Sequence, residues 1–169
     1  MLFWVFNNLQ AQTITLTDDC TSPTNVTPGS GSFVNANTYL NANADVTAAM
    51  TPNGFLPICA TANQRDGWVA FTAVSTSMVI SYTPTTAENV AIVVYQNTCP
   101  LPNATSTLLQ CVNSYGAGVT ETVNVSATVG TVYLVRIIKV SGPSAAMTGK
   151  ISIYTGPRSL SSGDLCTDA

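Results

Sequence analysis

The sequence predicts an all-β protein, a jelly-roll-like antiparallel β-sandwich of about 8 to 9 strands, on three observations. Apolar residues fall in short runs broken by Thr, Asn, Gly and Pro. No segment repeats them at helical spacing over about three turns. Glu121-Thr-Val-Asn-Val-Ser-Ala127 alternates strictly, with Val123 and Val125 sharing a face with Glu121 and Ala127, and Thr122, Asn124 and Ser126 on the other.

Each strand is bounded by turn chemistry. Thr13–Leu16 opens the series, and Ser32–Leu40 follows the turn residues Pro28, Gly29, Ser30 and Gly31. Gly67–Val74 carries Trp68 and Phe71, and Met78–Thr83 runs from a Ser/Thr turn to Pro84. Val90–Gln96 contains Ala-Ile-Val-Val-Tyr, apolar on both faces, as expected for a central strand covered on each side or one lying under another subunit. Thr107–Val112, Glu121–Ala127, Val132–Val140 and Lys150–Tyr154 complete the set. Asp66–Ala73, Val90–Gln96 and Val132–Val140 concentrate aromatic and β-branched residues and are expected to be inner strands, with Trp68, Phe71, Tyr95 and Tyr133 in the core.

Residues 13–157 form one domain on this reading, a length that buries about two thirds of its unfolded surface. Residues 1–12 are an apolar arm or the remnant of a signal peptide: Leu2, Phe3, Trp4, Val5 and Phe6 are followed by small and polar residues, but no basic segment precedes them. If retained, the arm must be buried, and a neighbouring copy is the expected place. Residues 158–169 are a tail. Its Ser162-Gly-Asp-Leu-Cys166-Thr-Asp-Ala169 echoes Thr17-Asp-Asp-Cys20-Thr-Ser-Pro23 and reads as the start of a further repeat.

Charged residues make up 8% of the chain, against roughly a quarter in an ordinary soluble domain. With no histidine among 169 residues, Ser-His-Asp chemistry and His-ligated metals have no residue to build on. Thr, Ser and Asn take the surface instead, which suits glycans or neighbours packed against it. The net charge is −3, and no Lys or Arg falls between Arg65 and Arg136, so nucleic acid is not an expected partner. No apolar run approaches the ~18 residues of a transmembrane helix.

The five cysteines fit no CxxC pattern and indicate an oxidising, extracellular setting. Cys99 and Cys111 flank one Pro-containing loop and are expected to bond to each other; Cys20 with Cys59 is a second expected pair. Cys166 is then a candidate for an intermolecular bond.

Thr17-Asp-Asp-Cys20, Leu56-Pro-Ile-Cys59, Asp66-Gly-Trp68-Val-Ala-Phe71, Val93-Val-Tyr95-Gln-Asn-Thr-Cys99, Leu109-Gln-Cys111 and Val129-Gly-Thr-Val-Tyr133-Leu-Val-Arg136 stand in this order. The series resembles the pre-peptidase C-terminal type of domain, in the version repeated through large exported proteins of gliding and type IX-secreting bacteria. The resemblance spans Thr17 to Tyr154. It implies a β-sandwich without catalytic machinery, serving as a spacer, adhesive or carbohydrate-contacting module. The chain departs from the family in lacking two further cysteines, one a dozen or so residues after the first and one in the last strand, where Ile151-Ser152-Ile153 stands.

Asp18 and Asp19 are candidate Ca²⁺ ligands, but no further acid lies nearby in sequence, so the expected role is a capped loop and no cofactor. Glu88 and Glu121, the only glutamates, show no sign of a glycosidase pair. Asn25, Asn103 and Asn124 begin sequons and are candidate glycosylation sites. The expectation is a secreted, non-enzymatic building block of a cell-surface filament or multidomain adhesin, its partners being other copies, adjacent repeats and surface glycans. The alternative is a carbohydrate-binding module of an exported hydrolase, with Trp68, Tyr39, Tyr115 or Tyr133 as stacking aromatics.

Overall fold

The computed structural model describes residues 13–29, 40–44, 56–96, 99, 108–143 and 147–156. They form ten strands and no helix: β1 (Thr13–Ile14), β2 (Thr24–Asn25), β3 (Leu40–Ala44), β4 (Arg65–Thr72), β5 (Ser77–Pro84), β6 (Asn89–Gln96), β7 (Leu108–Val112), β8 (Glu121–Ser126), β9 (Val132–Ser141) and β10 (Met147–Thr155). Two five-stranded sheets, β1-β3-β10-β5-β8 and β2-β4-β9-β6-β7, make an all-β sandwich. Apart from the two short parallel pairings of β1 with β3 and β2 with β4, every pairing is antiparallel.

The three segments expected inside are adjacent: β9 is hydrogen-bonded to β4 on one side and β6 on the other. Trp68, Phe71, Tyr95 and Tyr133 are each 1% exposed. Strand bounds shift from expectation, β1 ending at Ile14 and β4 running Arg65–Thr72, and two further differences have a visible cause. The two-residue β2 carries no apolar pattern to reveal it, and β10 begins at Met147 rather than Lys150. Gly149 lies over the Tyr82 ring, where a Cβ would collide with the phenol, so a residue that reads as a breaker is what lets β10 and β5 close up. The expected strand Ser32–Leu40 lies outside the described residues up to Leu40, where β3 begins.

Two apolar layers stabilise the fold. Between the sheets pack Val69, Phe71, Met78, Ile80, Tyr82, Val90, Ile92, Val94, Val123, Val125, Tyr133, Val135, Ile137, Ile151 and Ile153. On the other face of the β4-β9-β6 sheet, Trp68, Ala70, Ala91, Val93, Tyr95, Leu134, Ile138 and Val140 pack with Cys20, Ala60 and the partly buried Cys59, Cys99, Leu108 and Cys111. The two-faced apolar character of β6 is thus satisfied within the chain, and no second subunit is needed to cover it.

Candidate functional site

Both disulfides lie in that outer layer. Cys20 bonds Cys99 with Cα atoms 5.3 Å apart, and Cys59 bonds Cys111 at 5.6 Å. The expected pairs, Cys99 with Cys111 and Cys20 with Cys59, are therefore corrected. The hairpin register is the reason: Cys111 stands opposite Val93, well back along β6, whereas Cys99 lies beyond the end of that strand, past a bulge at Val94/Tyr95. Sequence proximity across a loop misled, because antiparallel strands carry the two sulfurs in opposite directions. The Thr17 bridge to Trp68 holds the Cys20 segment to β4, and Asn113 Nδ2 donates to the Cys59 carbonyl at 3.3 Å beside the second disulfide.

Beneath these links sits a buried polar cluster. The Arg136 guanidinium donates to Asp66 Oδ2 and lies over the Trp68 ring, 5.2 Å from its centroid. Tyr95 packs against Trp68 with ring centroids 5.5 Å apart. Burial raises the Asp66 carboxyl above its ordinary value, the neighbouring Arg136 opposing it, and burial likewise raises the Tyr95 phenol. Asp66 and Trp68 thus both belong to the interior, where Trp68 was expected.

A second ion pair lies between the sheets. Lys139 Nζ donates to Glu88 Oε1 at 3.0 Å, and neither residue is more than 1% exposed. Gly142, at φ 144°, lets the chain after β9 pass the Glu88 main chain, where a Cβ would stand 2.9 Å from Glu88 Cα. The Tyr82 phenol is raised by burial and then by the Glu88 charge. Sequence reasoning missed both pairs. The available signal was Arg136 and Lys139 inside an otherwise apolar run, which obliges each to find an acid.

Glu121, 1% exposed, accepts from the backbone N–H groups of Ser114 and Tyr115 at 3.1 and 2.7 Å and so closes the loop before β8. Asp19 accepts from Thr21 N–H at 2.9 Å, which lowers its pKa and makes it a turn cap. Its carboxylate lies within 4.8 Å of the Cys20 and Cys99 sulfurs, but these are bonded to one another and are not thiolate ligands.

Of the aromatics proposed to stack on sugar, Trp68 and Tyr133 are interior, which corrects that assignment, while Tyr115 is 56% exposed. Asn25 and Asn124 are exposed, on β2 and β8. Leu2, Phe3, Trp4, Val5, Phe6, Tyr39, Asn103 and Cys166 lie outside the described residues. Comparison of the chain with models of known protein families and with curated proteins gives no match.

Proposed function

We propose that this chain is a non-catalytic, exported structural module that builds a cell-surface assembly by contact with other copies of itself or with adjacent repeats. The observation that carries this reading is where the chain places its few charges. Asp66 and Arg136 neutralise each other inside, as do Glu88 and Lys139, and Glu121 is consumed by two backbone amides. The exposed positions of β8, Thr122, Asn124 and Ser126, are uncharged. A surface poor in charge gives up the mutual repulsion that keeps soluble proteins apart and favours close neighbours. Two disulfides fit an oxidising compartment, and no helix among the described residues is long and apolar enough to cross a membrane.

On this reading the resemblance to pre-peptidase C-terminal domains reflects a shared role as a repeated surface module. The apolar arm Leu2 to Phe6 supplies one contact and Cys166 another. Sedimentation and negative-stain microscopy of the full chain, beside a deletion of residues 1–12, test it. Assemblies that shrink on deletion are expected, and a full chain that stays monomeric at high concentration refutes the reading.

A further inference from the structure

Among the described residues the two sheets end in four edge strands, and three are blunted. β1 and β2 are two residues each, too short to template a partner. β7 carries the hairpin bulge and is tied through Cys111 to the Cys59 segment. β8 has none of these devices. It runs six residues without a bulge in its pairing to β5, contains no proline, and its one charged residue, Glu121, is buried against Ser114 and Tyr115.

The register fixes which backbone groups β8 offers. Ala127 N–H donates to the Thr76 carbonyl, and this pair lies in the same register as Ser77 opposite Ser126. Hydrogen-bonded pairs alternate along an antiparallel ladder, so Glu121, Val123 and Val125 bond toward β5. The N–H and C=O groups of Thr122, Asn124 and Ser126 point the other way, where no described strand is hydrogen-bonded to them, although β7 of the facing sheet passes close to β8.

We propose that β8 pairs antiparallel with β8 of a second copy, about a two-fold axis at Asn124. This names the surface for the assembly reading above and rests on it. In that register Thr122 meets Ser126, Asn124 meets Asn124 and Val123 meets Val125. Apolar faces therefore stay with apolar faces, and every hydrogen-bonded pair uses the outward-pointing groups. Only the residue on the two-fold axis faces its own copy, so a charge at position 124 would meet its like; Asn124 carries none, and the flanking Thr122 and Ser126 are uncharged as well. The outer face of the same sheet is already laced by hydroxyl pairs, Ser81 with Ser152 and Thr83 with Thr120, both at 2.7 Å, and a second β8 extends that ladder with Thr, Asn and Ser.

The test uses the full chain with Cys166→Ser, made without N-glycosylation because Asn124 begins a sequon. Hydrogen-bonded antiparallel partners have Cα atoms about 5.5 Å apart, within disulfide reach, so Asn124→Cys should form a covalent dimer under mild oxidation. Val129→Cys, at an exposed turn position, should not. Asn124→Lys should dissociate the pair while leaving the monomer folded, read as an unchanged far-UV circular dichroism spectrum. If the chain associates but Asn124→Cys cross-links no faster than Val129→Cys, β8 is not the contact and the assembly reading stands. A full chain with Cys166 intact that sediments as a monomer overturns both.

Discussion

Lys139 and Glu88 meet between the two sheets, the ammonium donating to Oε1 at 3.0 Å with both residues out of contact with water. Such a pair costs desolvation of both charges and is repaid only while both partners are present. Lys139→Ala should therefore destabilise by about 3 to 5 kcal/mol, because it strands a buried carboxylate. The double change Lys139→Met with Glu88→Gln should recover much of that loss. Urea unfolding of the two variants measures the difference.

Trp68 supports the outer layer through Tyr95 on one side and the Arg136 guanidinium on its face. Trp68→Ala should cost about 3 to 5 kcal/mol in urea unfolding. A loss below about 1 kcal/mol would mean that the outer layer is not packed as described.

The cysteine connectivity is directly checkable. Peptide mapping without reduction should recover Cys20 linked to Cys99 and Cys59 linked to Cys111. Replacing both Cys59 and Cys111 by Ser should lower stability by about 4 kcal/mol in a chain-entropy description of a loop of this length.

Gly149 offers a steric test. Gly149→Ala should push β10 off the Tyr82 ring and destabilise by about 1 to 3 kcal/mol, read as a lower urea midpoint.

Two aspartates should titrate on opposite sides of the ordinary value of 3.8. Asp66 binds its proton more tightly in the folded than in the unfolded chain, so stability falls as pH rises from 3.8 toward its raised folded value. Asp19 does the reverse: its contribution is present above 3.8 and disappears as pH falls through its lowered value. Carboxyl-carbon NMR titration of the folded protein should place the two midpoints in that order.

Most of the sandwich was legible because its strands advertise themselves. Glu121–Ser126 alternates and buries alternate residues, and the two-sided apolar run at Val90–Tyr95 became a strand with a core on each face. The disulfides were not legible, since pairing depends on the strand register that places Cys111 opposite Val93. Nor was the outer layer, which is assembled from loop residues such as Cys20, Cys59 and Ala60 that carry no periodicity. The buried ions were hidden because Asp66 and Arg136, or Glu88 and Lys139, meet only once β4, β6 and β9 lie side by side.

Arg136 and Lys139 stand three positions apart on β9, so they leave the central strand on opposite faces, one toward Asp66 and one toward Glu88. The apolar residues of β9 would tolerate a slip by one position, since the strand is buried on both faces and Val, Leu and Ile are nearly interchangeable there. The two cations would not. A one-residue slip exchanges their faces and leaves each buried opposite no acid, an error worth several kcal/mol per ion. In a chain with so little charge, these two side chains act as alignment marks: they distinguish the native pairing of the middle strand from its nearest misfolded neighbour.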